Sequence, residues 1–234
     1  ALKQLDHENI IKMVACSDMG NRREEDPVHI VLEHMPCDLY HAIKNNPEIK
    51  ENIREILYRI LKGLAHIHSK KLAHRDLKPK NILVDPKKLT VKICDFGCCR
   101  EVEEELPFPG TPTGGYYNDI LSVAGLMVRL YLGESSLRDF YWRMLFSVDG
   151  IETFIKTKRE GGVLSDTRLE ILWRDLGGAI SENGMDLFLQ LISAKKTGAC
   201  TAAAEALEHP FFDEGREQDP SVKKREEKQI RDED

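Results

Sequence analysis

The sequence predicts an α+β fold, a partial β region followed by a mainly helical one, on three observations. Two Val- and Ile-rich runs, Ile10 to Cys16 and Val28 to Glu33, read as strands separated by a charged loop. Two shorter apolar runs, Ile82 to Val84 and Leu89 to Cys94, read as a hairpin with Asp85-Pro86 in its turn. Most of the remaining apolar residues recur at helical spacing.

The elements follow in order. Ala1 to Leu5 carries apolar residues at 1, 2 and 5, the pattern of the last turn and a half of a helix, with Asp6 to Asn9 as its polar exit. The chain begins inside that pattern without a methionine, so it is expected to be a piece of a longer protein. Asp38-Leu39 reads as a helix N-terminus, where an Asp is favoured by unpaired N–H groups. Ile53, Ile56, Leu57, Ile60, Leu61, Leu64 and Ile67 form one apolar stripe, so 51–68 is predicted to be an amphipathic helix. His66 and His68 near its end read as residues suited to a helix C-terminus rather than as ligands. Residues 119–132 are apolar nearly all round, as a buried central helix requires. Residues 137–180 carry helical stretches broken by Gly, and Met185 to Ile192 and Thr201 to Glu208 read as two further helices ending at His209-Pro210-Phe211-Phe212. From 213 to 234 the chain is charged and nearly devoid of apolar residues, the composition of a tail.

Composition narrows the function. Apolar residues make up 41% and charged residues 32%, enough for a packed core in 234 residues. A net charge of -6 offers no general basic surface for a nucleic-acid backbone, so nucleic acid is not an expected partner. The apolar run Ile120 to Val128 is too short to span a bilayer, so no membrane association is expected. Six scattered cysteines without a disulfide-framework spacing favour a reducing compartment, cytoplasmic or nuclear. Cys94, Cys98 and Cys99 do cluster, but without a Cys-x-x-Cys pair or a His at finger spacing.

The chemistry concentrates in His74-Arg75-Asp76-Leu77-Lys78-Pro79-Lys80-Asn81 and, beyond the hairpin, Asp95-Phe96-Gly97. The two Asp and the Asn have the spacing phosphoryl transfer requires: one carboxylate to orient a hydroxyl, and two oxygen ligands to hold magnesium on phosphates. These two motifs, in their strand and loop context, resemble the catalytic and metal-binding loops of eukaryotic protein kinases. Lys78, two residues after Asp76, resembles the serine/threonine version, and the ending His209 to Phe212 resembles the last helix of the cyclin-dependent-kinase-like (CMGC) group.

The resemblance implies an N-terminally truncated protein-kinase-like fold. Residues 1–35 would end the small lobe with its hinge at 33–36, residues 36–212 would form the large lobe, and 213–234 the tail. It implies ATP and Mg2+ as cofactors and a protein as substrate or partner, including a cyclin-like activator. Asp76 would accept the hydroxyl proton, Lys78 would steady the transferring phosphate, and Asn81 and Asp95 would ligate magnesium. The hinge residues Glu33, His34 and Met35 would hold adenine, with Leu32 behind them; Leu83 would complete the nucleotide site and Asp38 would contact ribose. Asp119 would hold the catalytic loop through its backbone, and Arg75 would meet a phosphate on Thr111.

The pattern also departs from the family. No Gly-rich loop or strand Lys occurs in the 234 residues, and Asp95 and Asp119 are 24 positions apart, roughly a dozen fewer than usual. No Ala-Pro-Glu occurs, and Gly198-Ala199-Cys200 stands where the Arg that pairs with its carboxylate belongs. Losing both partners of a buried ion pair can be nearly neutral, whereas losing one is costly. The leading reading is therefore a serine/threonine kinase impaired as this chain; the alternatives are an inactive kinase-like scaffold and a truncated gene product without a function of its own.

Overall fold

The computed structural model describes residues 2–17, 28–102, 115–136, 138, 148–194 and 201–214. A 3-10 turn at Leu2–Gln4 replaces the expected α-helical turn. Of the first predicted strand, only β1 (Met13–Cys16) pairs with β2 (Ile30–Leu32) in an antiparallel hairpin. Ile10 and Ile11 are drawn off to a different strand because both are buried: Ile10 bridges Ile93, and Ile11 N–H donates to the Ile93 carbonyl at 2.9 Å. Val14, Ile30, Val31 and Leu32 of the hairpin stay exposed to solvent.

The central sheet joins β3 (Cys37–Asp38), β5 (Ile82–Asp85) and β6 (Thr90–Ile93), all antiparallel. Its register sets Asp38 opposite Leu83, and Leu83 opposite Lys92, so these three share one face. A smaller sheet pairs β4 (Leu72–Ala73), which runs into the loop 74–81, with β7 (Arg100–Glu101).

Helices make up most of the rest: α1 (Leu39–Asn45), α2 (Glu48–Glu51), α3 (Ile53–Ser69), α4 (Gly115–Leu132), α5 (Val148–Arg159), α6 (Thr167–Ala179), α7 (Glu182–Ser193) and α8 (Ala202–Leu207). The apolar stripe of α3 is buried as its period predicts, with Ile56, Leu57, Ile60, Leu61, Leu64 and Ile67 all at or below 1% exposure. Burying each such side chain stabilises the fold by about 1.5–3 kcal/mol. Packed around α3 are α4, α8 and β6, and α4 in turn contacts α6 and α7. Within 137–180, where periodicity says little, the Asp166 side chain caps α6, and just beyond it Ser181 caps α7. Those two N-caps were the available sequence signals.

The C-terminal boundary needs correction by two residues. Asp213 closes the 3-10 turn Pro210–Phe212, and Glu214 is anchored rather than solvated. Arg54 of α3 donates to the Glu214 carbonyl at 2.6 Å and to its carboxylate at 2.8 Å, and the Ser181 hydroxyl donates to the same carboxylate. Residues 215–234, Thr111, Thr113 and the Gly198-Ala199-Cys200 stretch lie outside the described residues.

α4 also begins four residues before Asp119, at a glycine that reads as a helix breaker. A Cβ at Gly115 would sit 2.6 Å from the Ala73 Cβ, so only glycine lets α4 close on the strand leading into the loop 74–81. Gly63 does the same for α3, where a Cβ would lie 2.8 Å from the Asn9 carbonyl oxygen.

His66 and His7 stack with ring centroids 4.9 Å apart, joining α3 to the segment before β1. Burial lowers the pKa of both, and each ring is also disfavoured as a cation by neighbouring positive charge: Lys62, Lys92 and His66 on His7, and Lys70 on His66. Glu8 and Asp6 act the other way. The folded state therefore binds fewer protons than the unfolded chain, and stability falls as pH drops below the ordinary value of 6.5. A His66→Phe variant is expected to lose less Tm than the parent between pH 7.5 and pH 5.5, with Tm read by circular dichroism. Equal losses would mean the stack does not titrate in this range.

Candidate active site

The hairpin β5–β6 assembles the site. Ile82 and Ile93 are paired in register, so Asn81, one residue before, and Asp95, two residues after, stand at the same open end. Cys94 N–H donates to the Asn81 carbonyl at 2.9 Å and holds that end together. Asn81 is buried, and its Nδ2 donates to the Asp76 carbonyl at 2.8 Å and to the Asp76 carboxylate at 2.9 Å. The Asn81 Oδ1 acceptor is left over from that bonding.

Lys78 Nζ lies 2.7 Å from the Asp76 carboxylate. This hydrogen bond is the main cause holding the Asp76 carboxyl below its ordinary pKa, with Asn81 adding to it. Asp76 is thus ionised at neutral pH, as a proton acceptor in an oriented loop must be.

Asp95 adopts a left-handed backbone conformation, φ 62°, and its carboxylate accepts from Gly97 N–H at 3.3 Å while remaining exposed. Its free lone pairs, the Asn81 Oδ1 and the nearby Asp76 carboxylate are all hard oxygen donors, the set that suits magnesium rather than zinc. Of the neighbouring thiols, Cys94 and Cys99 are buried and Cys98 is exposed, and burial pushes Cys94 up to about 11.

The two loops are tied from below by His74. Its Nε2 lies 2.9 Å from the Cys94 carbonyl, its Nδ1 accepts from Asp76 N–H at 3.3 Å, and Phe96 packs edge-on against the ring at 5.1 Å. A neutral Nε2–H imidazole satisfies both bonds. The fully buried Asp119 accepts from His74 N–H at 2.8 Å and Arg75 N–H at 2.7 Å. That grip holds Arg75 in a left-handed conformation, φ 67°. A third bond, 3.0 Å from His68 Nε2, corrects the reading of that residue: His68 meets Asp119 in the core instead of serving the helix end. Its spacing of four from Leu64 on the buried stripe was the available signal.

The predicted nucleotide residues lie around the central sheet. Glu33 and Met35 occupy the link between β2 and β3. The Glu33 side chain meets Lys92 at 2.9 Å and Lys12 N–H at 2.7 Å through one carboxylate oxygen, and its N–H donates to the Lys12 carbonyl at 3.0 Å, which leaves its backbone carbonyl for a ligand. Asp38 caps α1 through His41 N–H at 2.8 Å and also meets the His41 ring, and it shares a sheet face with Leu83. The capping and ligand readings of Asp38 are compatible, since its side chain remains partly exposed.

The site is thus a loop bearing an oriented carboxylate, joined through a hairpin to a second acidic loop. The family model for the protein kinase domain matches residues 1–212, and the chain belongs to the protein kinase family. It is 28% identical over 252 residues to protein kinase gsk3 of Schizosaccharomyces pombe, an alignment covering 95% of this chain and 64% of that protein. It is 42% identical over 104 residues to mitogen-activated protein kinase 5 of Oryza sativa subsp. indica, covering 44% of this chain and 28% of that protein. Mitogen-activated protein kinase 3 of Arabidopsis thaliana is 41% identical over 104 residues. These relatives are themselves serine/threonine kinases of the CMGC group. The chain spans less than two thirds of the length of each of these relatives. No described helix is long and apolar enough to cross a membrane.

Proposed function

We propose that the chain carries the transfer site of an ATP- and magnesium-dependent protein serine/threonine kinase. The observation that carries this reading is the hydrogen-bonded set Asp76, Lys78 and Asn81 at the same hairpin end as Asp95. Asp76 takes the proton of the substrate hydroxyl, and Lys78, exposed beside it, steadies the transferred phosphate. Asn81 Oδ1 and the Asp95 carboxylate hold the metal, which when bound neutralises charge on the phosphates. The Glu33 and Met35 backbones hold the adenine with Leu83 beside it, and Asp38 meets the ribose. The described cysteines are free, which fits a cytoplasmic or nuclear protein.

Calorimetric titration with ATP tests the reading. Affinity is expected to rise with magnesium, and Asp95→Asn is expected to remove at least a tenfold share of that magnesium-dependent affinity. Affinity that ignores magnesium, or that Asp95→Asn leaves intact, would count against it.

A second reading, an inactive scaffold that keeps the fold, is favoured by one observation. α4 is seated on Ala73 at Gly115, so only residues 103–114 separate it from Val102, little chain with which to cradle a protein substrate.

A further inference from the structure

Beside the catalytic loop, three cations from three elements converge on one aromatic ring. Lys44 of α1 places its Nζ 4.1 Å from the centroid of Tyr40 and 2.8 Å from the Tyr40 hydroxyl. Lys80, between Pro79 and Asn81, places its Nζ 5.4 Å from the same centroid, and Arg129 of α4 places its Cζ at 5.1 Å. The only carboxylate paired with them among the described residues is Glu134, bonded to Arg129 at 2.6 Å. Lys44 and Lys80 are exposed and have no carboxylate partner among the described residues.

This concentration of positive charge stands out on a chain of net charge -6. Three cations around one ring make a local excess of positive charge, and the negative face of that ring offsets only part of it. An anion seated among them would offset the remainder. The Tyr40 hydroxyl responds to the same field: its pKa is lowered chiefly by the Lys44 hydrogen bond, with Lys80 and Arg129 contributing.

Position identifies the anion's carrier. Lys80 is adjacent to Asn81 and four residues from Asp76, on the same loop, so whatever fills the cluster lies beside the hydroxyl that Asp76 would receive. We propose that Tyr40, Lys44, Lys80 and Arg129 form a subsite for an anionic side chain, carboxylate or phosphate, of the polypeptide substrate. The proposal rests on the kinase reading for the identity of the carrier and on the charge cluster for its chemistry. The subsite selects substrates in which an acidic or already phosphorylated residue flanks the acceptor hydroxyl. Lys44 and Lys80 supply charge that adapts to either anion, while Arg129, only 12% exposed and braced by Glu134, supplies a fixed fork.

Fluorescence anisotropy with labelled Ser-containing peptides tests this on the 234-residue chain, using three flanking sequences: glutamate, phosphoserine and lysine. The glutamate and phosphoserine peptides are expected to bind at least tenfold tighter than the lysine peptide at low salt, and the margin is expected to shrink as salt rises. Whichever of the two anionic peptides binds tighter identifies the anion the subsite prefers. Lys44→Glu and Lys80→Glu, both surface changes checked for folding by circular dichroism, are each expected to cut that margin at least fivefold. Anionic peptides that bind no better than the lysine peptide, or a margin unchanged in both variants, would overturn the subsite. Magnesium–ATP binding is measured in the same samples. Its loss in the parent chain would count against the phosphoryl-transfer reading, while the peptide margin alone decides the subsite.

Discussion

Asp119→Ala is expected to destabilise the fold by about 3–5 kcal/mol, the range for removing one partner of a buried charged hydrogen-bond network. Asp119 is fully buried and is the shared acceptor for His74 N–H, Arg75 N–H and His68 Nε2. Its removal strands three donors, two of them, His74 N–H and His68 Nε2, buried. The first consequence is local, because Arg75 at φ 67° is held in a conformation that a non-glycine residue rarely adopts unaided. Urea denaturation measures the loss, and hydrogen exchange at His74 and Arg75 locates it. A change below about 1 kcal/mol would show that the loop is supported by other contacts.

The 234-residue polypeptide is expected to transfer phosphate at least a hundredfold more slowly than the usual kinase range of about 1–100 per second. It contains no Gly-rich loop and no strand Lys to fix the phosphates, and in this chemistry positioning and electrostatics supply nearly all of the acceleration. Asp76→Asn is expected to reduce whatever rate remains by a further factor of roughly 10²–10⁴, the usual contribution of a positioned base. Single-turnover assays with labelled ATP, magnesium and a Ser/Thr peptide read both quantities. A parent rate within a hundredfold of the usual range would refute the first expectation. A residual rate untouched by Asp76→Asn would remove Asp76 from the role of base.

What the residues determined by themselves is what local chemistry encodes. The α3 stripe has period 3.6 because each of its apolar residues must face the same core, so the helix was legible from spacing alone. The hairpin 82–94 was legible because two short apolar runs flank a Pro-containing turn, and once it forms, Asn81 and Asp95 are neighbours by register. The family was legible in the same stretch, since a loop that handles phosphate and magnesium tolerates few residue types at few spacings.

Tertiary structure alone decided the contacts between residues far apart in the chain. Nothing near His68 announces Asp119, and nothing near Lys80 announces Tyr40 and Arg129; each pairing exists only once α3, α4 and α1 have packed. The start of α4 was misjudged for the same reason. Glycine at 115 reads locally as a breaker, but its missing Cβ is what allows the helix to approach Ala73. Glu214 reads as the beginning of a charged tail until Arg54 and Ser181, distant in sequence, present their donors to it. Side-chain periodicity reports which face of an element is buried, whereas the partner that meets a polar group is chosen by packing across the whole chain.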